Sequence, residues 1–368
     1  TRATNFKMGN KSPCIKFAIV GHQDSWNNVM QFIKTMRHAD DLSLDKVQQI
    51  FTYIPPRKLF DIEVYNKDLS AISGIYIETF IPPDELDLKY LRKNIHKVEK
   101  ACEVCASLDI PVVSLGGFSS IVLETGGQLL SKISNTYFTT GNTLTAAFIT
   151  KAIERACALW HQPLSKSRLL IIGSTGDIGS ACAAYFEDKV QELLLCARQT
   201  GPLQKQSQHL TAKGISNTTS TSLKELVNKA DIIISVASSI VEKENLKGIN
   251  AHTIICDAGY PKNLQDTFLN NHKRIFYGGM GIVTNGFEFS NNLEQVFYKF
   301  PLRNVAHGCL LESVVLALEN RECSFSYGKG NITVEAMNDI LAMAYRHGIQ
   351  TAPLFNKAII DENAAEKI

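Results

Sequence analysis

Gly173-Ser174-Thr175-Gly176-Asp177-Ile178-Gly179 follows the apolar run Leu169-Leu170-Ile171-Ile172 and opens a segment of helical periodicity. A strand, a glycine turn and a helix in that order make a phosphate site. Glycines let the backbone turn tightly and approach a pyrophosphate, whose charge is held by free N–H groups at the positive end of the helix. The spacing is GxxGxxG rather than GxGxxG, and glycine turns recur by chance, so the setting between strand and helix carries the reading. The next strand, Glu192-Leu193-Leu194-Leu195-Cys196-Ala197-Arg198, ends where an NAD-preferring enzyme places an acid on the ribose 2′-hydroxyl. Arg198 stands there instead. A guanidinium binds a 2′-phosphate through charge-assisted, bidentate hydrogen bonds, so the expected cofactor is NADPH; a solvated surface arginine is the alternative.

Further strands follow at doubly wound spacing: Asp231-Ile232-Ile233-Ile234-Ser235-Val236, Thr253-Ile254-Ile255-Cys256-Asp257 and Arg274-Ile275-Phe276-Tyr277. Between them, Ser222-Leu223-Lys224-Glu225 has the form of a capping box at a helix start. Alternation of apolar strands with helical stretches predicts a mainly parallel sheet covered on both faces. Ligands on such sheets bind beyond the carboxyl ends of the strands. This adds Ala237, Ser238, Gly259 and Tyr260 to the cofactor-binding candidates Gly173, Ser174, Thr175, Gly176, Asp177, Ile178, Gly179 and Arg198, and places Lys262 near the nicotinamide.

A chain of 368 residues exceeds what one core normally supports. The predicted fold class is α/β, with a central Rossmann-like doubly wound parallel sheet, an N-terminal α/β domain and a C-terminal helical segment. The expected boundaries are 13–145 for an N-terminal substrate domain, 146–300 for the NADP(H)-binding domain and 301–368 for the mostly helical segment. With 45% apolar residues, 20% charged residues and a net charge of +2, the chain reads as globular and soluble. Lys+Arg at 38 against Asp+Glu at 36 leaves no bulk positive field for nucleic acid. No apolar run reaches the roughly 18 residues of a membrane span, and the polar stretch Thr1 to Ser12 lacks the form of a secretory signal. Nine cysteines scattered through strands and helices favour a reducing compartment, so free thiols and a cytoplasmic enzyme are expected. Cys102 and Cys105 form a CxxC inside an amphipathic helix, with no second pair to complete a zinc set; they read as buried packing, and no metal is expected.

In the N-terminal part, Ile110 to Leu115 reads as a strand running into Gly116-Gly117-Phe118-Ser119-Ser120. That turn either presents N–H and hydroxyl donors to a carbonyl or phosphate, or is an ordinary strand-to-helix connection. Phe138-Thr139-Thr140-Gly141-Asn142-Thr143 is a second polar turn, leading into the helix that reaches the nucleotide domain. Val305 to Glu319 reads as helix, with Cys309 near its first turn. A thiol at a helix start ionises more easily, and the thiolate is the nucleophile. Physics alone still favours packing for Cys309 and a plain helix-start role for His307, because buried cysteine is common.

Several strings together carry a resemblance. Leu115-Gly116-Gly117-Phe118-Ser119-Ser120-Ile121-Val122, Phe138-Thr139-Thr140-Gly141-Asn142-Thr143, Gly176-Asp177-Ile178-Gly179-Ser180-Ala181, Glu192-Leu193-Leu194-Leu195, Asp257-Ala258-Gly259-Tyr260-Pro261-Lys262-Asn263-Leu264 and Phe325-Ser326-Tyr327-Gly328 occur in the same order as in the long-chain acyl-[acyl-carrier-protein] reductases of the cyanobacterial fatty aldehyde pathway, which the chain resembles from about residue 17 to 350. The resemblance implies NADPH-dependent reduction of a fatty acyl thioester to an aldehyde through an acyl-enzyme on Cys309, with Glu312 three residues on. It implies an acyl-carrier protein as partner, and an aldehyde-consuming enzyme downstream. Cys309, Lys262, Ser119 and Ser120 become the catalytic candidates, with Asn142 in the same polar environment. The basic run Lys89, Arg92, Lys93, Lys97 and Lys100 is a candidate docking face for the acidic carrier. The chain departs from the family in Gly278 to Gly286, which lacks a Glu-His pair, in the position of Arg303, and in Tyr327, which stands for a tryptophan. Two alternatives remain: a shikimate-dehydrogenase-like NADP-dependent oxidoreductase without covalent catalysis, and an inactive NADPH-binding protein.

Overall fold

The computed structural model describes residues 14–37, 42–120, 123, 130, 133–237, 241–259, 262, 264 and 272–360. Two six-stranded sheets dominate it. The first contains β1 (Ile15–Gly21), β2 (Arg57–Tyr65), β3 (Ala71–Glu78), β4 (Val112–Leu115) and β5 (Tyr137–Thr139). The second contains β6 (Arg168–Ile172), β7 (Glu192–Cys196), β8 (Asn217–Ser220), β9 (Ile232–Ser235), β10 (Ile254–Asp257) and β11 (Ile275–Tyr277). Then come β12 (Met280–Val283), β13 (Phe287–Phe289), β14 (Val305–His307) and β15 (Ile349–Thr351). β13 crosses back to pair antiparallel with β2, giving the first sheet the order β13-β2-β3-β1-β4-β5; β12, β14 and β15 form a small antiparallel sheet.

The second sheet runs β11-β10-β9-β6-β7-β8 with every pair parallel, so its order reverses between β6 and β9. That is the doubly wound arrangement, and the reversal opens a crevice at the carboxyl ends. The period-2 pleat explains why its strands read as unbroken apolar runs. Leu169, Ile171, Leu193, Leu195, Ile232 and Ile234 enter one core, while Leu170, Leu194, Ile233 and Ile255 enter the core on the opposite face.

Helix Asn142–Leu159 joins the two sheets. Ala146, Ala147, Phe148, Ile149, Ala152, Ile153 and Ala156 are all buried, so it is covered all round and shows no single apolar stripe. Helices Asp177–Phe186, Gly308–Leu318 and Val334–Arg346 pack on it. No helix among the described residues is long and apolar enough to cross a membrane.

Two local readings change, and a third holds. Val305 to His307 is strand, not helix, because Met280, Gly281 and Ile282 of β12 offer it a ladder; pairing outweighs local periodicity. The helix starts at Gly308. Ser222 caps no helix: two short 3₁₀ turns follow, and Glu225 accepts from Ser220 Oγ at 2.7 Å. Cys102 and Cys105 are buried free thiols on helix Leu91–Ser107, in agreement with the packing reading.

Candidate active site

β6 delivers the chain into the phosphate turn. Gly173 takes φ +89°, where a methyl would stand 2.9 Å from the Val236 carbonyl, and a methyl on Gly179 would overlap the Gly173 carbonyl. Strand and helix therefore meet closely only through glycine. Gly173 and Ser174 donate their N–H groups to the Cys196 carbonyl at 2.8 and 3.1 Å, tying the turn to β7. Helix Asp177–Phe186 begins with no side-chain cap, and the N–H groups of Ile178 and Gly179 have no partner among the described residues. The buried Ser174 hydroxyl has none either. Open donors, a buried hydroxyl and a backbone with no Cβ in the way fit a pyrophosphate.

Asp177 faces elsewhere. Its carboxylate accepts from Asn142 Nδ2 and from the Gly330 N–H, both at 2.9 Å, and so bridges the nucleotide sheet, the linking helix and the C-terminal segment. Arg198 is exposed two residues beyond β7, and Ala237 is half-buried just past β9. Gly259 donates to Asp257 Oδ1 at 3.3 Å, and Lys262 donates to the Asp257 carbonyl at 3.2 Å with its ammonium 4.9 Å from the Tyr277 ring centre. Burial lowers the Lys262 pKa, opposed by the Asp257 charge. Ser238 and Tyr260 lie outside the described residues.

Cys309 is the second residue of helix Gly308–Leu318, half-buried. Its surroundings come from both sheets. The Ser114 hydroxyl at the end of β4 donates to its carbonyl, and a methyl on Gly116 would lie 4.0 Å from Sγ. On the other side, Gly308 donates to the Gly279 carbonyl at 2.8 Å and Gly278 donates to the Asp257 carbonyl at 3.0 Å, a short path to the end of β10. Burial pushes the thiol up to about 11, against the N–H groups of Leu310, Cys309 and Gly117, which face the sulfur and favour the thiolate. Gly141, at φ +71°, lies against the Cys309 backbone, where a methyl would overlap Cα.

Glu312 is fully buried one turn along. It accepts from Thr139 Oγ1 at 2.5 Å, Ser326 Oγ at 2.7 Å and the Leu144 N–H at 3.0 Å. Ser326 in turn takes the Thr143 N–H at 3.1 Å. Glu312 and Ser326 thus serve as the missing N-terminal cap of helix Asn142–Leu159. Burial raises the Glu312 pKa against these bonds.

The turn carrying Ser119 and Ser120 is a 3₁₀ segment, Gly117–Ser120. Ser119 is fully buried and its hydroxyl has no partner among the described residues; Ser120 is half-buried. Asn142 is turned to Asp177, away from this group. Sequence reasoning missed His22, whose Nε2 accepts the Phe118 N–H at 2.9 Å, and Tyr298, whose ring packs on that of His307 with centres 5.6 Å apart and whose hydroxyl faces Cys309. A polar residue directly after a buried parallel strand was the available signal for His22; Tyr298, in an aromatic stretch, gave none. His307 is held down to about 3 by burial and by Lys262. Of the basic run, Lys97 is buried and donates to the Phe80 carbonyl, Lys93 pairs with Glu85 and Lys100 with Glu103, leaving Lys89 and Arg92 to present charge outward. Among the described residues no group of three His, Cys, Asp or Glu is placed to hold a metal ion.

Comparison with known proteins adds four findings. Residues 157–277 match the family model for shikimate / quinate 5-dehydrogenase. The chain is 27% identical over 350 residues to a long-chain acyl-[acyl-carrier-protein] reductase of Synechococcus elongatus, covering 92% of this chain and 99% of that one. It is 26% identical over 249 residues to the aminotransferase PigE of a Serratia species, covering 66% of this chain and 28% of that one. Among solved structures, the L-tryptophan dehydrogenase of Nostoc punctiforme superposes over 72% of this chain and 70% of its own, at 12% identity and a TM-score of 0.36. The resemblance seen in the short strings thus extends along nearly the whole sequence.

Proposed function

We propose that the protein reduces a fatty acyl thioester, carried on an acyl-carrier protein, to a free aldehyde by way of an acyl group on Cys309. The chain is an NADPH-dependent oxidoreductase, and the thioester reading rests on one observation. Cys309 stands where the carboxyl ends of both sheets meet, touching the Ser114–Gly117 turn on one side and linked through Gly279 and Gly278 to β10 on the other. A substrate thioester can reach it from the first sheet and a reductant from the second.

On this reading each residue takes a part in the steps. The Cys309 sulfur loses its proton and attacks the carbonyl; the carrier's C–S bond breaks and the departing thiolate takes up a proton, so the exchange is balanced in charge and nearly so in energy. Little driving force means that positioning and oxyanion stabilisation supply the rate. The Gly117, Cys309 and Leu310 N–H groups that face the sulfur would also reach the carbonyl oxygen of a bound acyl group, and Tyr298, kept protonated by burial, would add an O–H donor. Gly173, Ser174, Ile178 and Gly179 would hold the NADPH pyrophosphate, Arg198 its 2′-phosphate and Lys262 the neighbourhood of its nicotinamide. When bound, NADPH supplies the hydride that releases the aldehyde and returns the Cys309 thiolate.

Intact-protein mass spectrometry after incubation with acyl-carrier thioesters, without NADPH, tests this. An acyl mass on Cys309, absent in Cys309→Ala together with aldehyde formation, is the expected result. The match of residues 157–277 to a dehydrogenase family favours the second reading, reduction without covalent catalysis. Full turnover by Cys309→Ala would establish that reading instead.

A further inference from the structure

The turn that faces Cys309 is only four residues long, Gly117–Ser120, and has no ladder of its own. Two bonds to the end of β1 fix it. Gly116 donates to the Val20 carbonyl at 2.9 Å, and Phe118 donates to His22 Nε2 at 2.9 Å. His22 is 7% exposed, directly follows β1, and packs edge-on against Phe118 with ring centres 6.5 Å apart. The backbone at Gly116 comes close to the sulfur, where a methyl would lie 4.0 Å from Sγ, the Gly117 N–H faces that sulfur, and the next N–H, of Phe118, goes to the imidazole.

We propose that His22 is a positioning residue: by holding the Phe118 N–H it locks the Gly117 peptide onto the Cys309 sulfur and sets the reactivity of that thiol. The imidazole suits the task. A buried ring stays neutral, and its pKa is held down to about 4 despite the Asp24 charge, so Nε2 remains an acceptor throughout the neutral range. Without that acceptor the half-buried Phe118 N–H is left unpaired, and the short turn rotates to reach another partner. The sulfur then loses its Gly117 donor and keeps the two on its own helix, with Glu312 and Tyr298 facing it as before. This deepens the acyl-enzyme reading, on which its catalytic meaning rests, although thiol reactivity is measurable without any acyl substrate.

The experiment follows alkylation of the Cys309 peptide by iodoacetamide from pH 7.5 to 10, with the exposed Cys14 as internal reference. His22→Phe keeps the ring but has no acceptor; His22→Gln restores an acceptor at similar reach. Alkylation of Cys309 in His22→Phe is expected to slow roughly three- to tenfold with its pH profile displaced upward, His22→Gln is expected to recover most of the rate, and Cys14 is expected not to change. An unchanged Cys309 profile in folded His22→Phe overturns the proposal. Should either variant fail to fold, hydrogen exchange of the wild-type protein decides: a protected Phe118 amide supports the lock, and one exchanging like an open loop removes it. Slowed alkylation with no acyl adduct on the wild-type enzyme would sink the acyl-enzyme reading and leave the role of His22 standing.

Discussion

The Glu312 carboxylate accepts the Leu144 N–H at 3.0 Å, so a side chain of the helix that carries Cys309 closes the N-terminus of the helix that joins the two sheets. Thr139 and Ser326 converge on the same group. Removing it strands several buried donors at once. Glu312→Ala is expected to lower unfolding free energy by about 3 kcal/mol and Glu312→Gln by less, since the amide oxygen still accepts. Urea denaturation of the three proteins checks the order.

The thiol at about 11 fixes a pH dependence. At neutral pH the reactive thiolate is the minor form, and its fraction grows about tenfold per unit while pH stays below the pKa. Single-turnover acyl transfer to Cys309 is therefore expected to accelerate steeply from pH 7 to 9. A flat profile over that range would mean that another group removes the proton before attack.

Gly141 offers a steric test that leaves the cofactor turn alone. Its positive φ and its contact with Cys309 leave no room for a methyl group. Gly141→Ala is expected to cut acyl transfer by about 100-fold, the scale on which a misplaced reacting atom is felt. NADPH binding, followed by fluorescence titration, should remain within about twofold of the original, because the phosphate turn is not touched.

Arg198 predicts cofactor choice. Arg198→Ala is expected to raise KM for NADPH about tenfold, the worth of a charge-assisted bond, and to leave KM for NADH nearly unchanged. Steady-state rates with both reductants give the comparison. Equal effects on both would assign the ribose phosphate to another residue.

Much of the nucleotide sheet was legible because its strands are buried on both faces and therefore read as Leu and Ile runs between turns. β12, β14 and β15 were not, since each is three or four residues long and exists through its neighbours. Cys309 stood out in the sequence only through family likeness; its helix start became definite once β14 claimed Val305–His307. His22 and Tyr298 lie 287 and 11 positions from the cysteine, and no local pattern joins either to it. Asp177 illustrates the opposite limit. Its place in a phosphate motif suggested a ligand contact, whereas Asn142 and Gly330 occupy its oxygens.

Those two bonds have a mechanical meaning. To swing apart like jaws, the nucleotide sheet would have to tear one buried carboxylate from both the linking helix and the C-terminal segment, so the hinge between the two halves is latched at that point and access to Cys309 cannot depend on wide gaping.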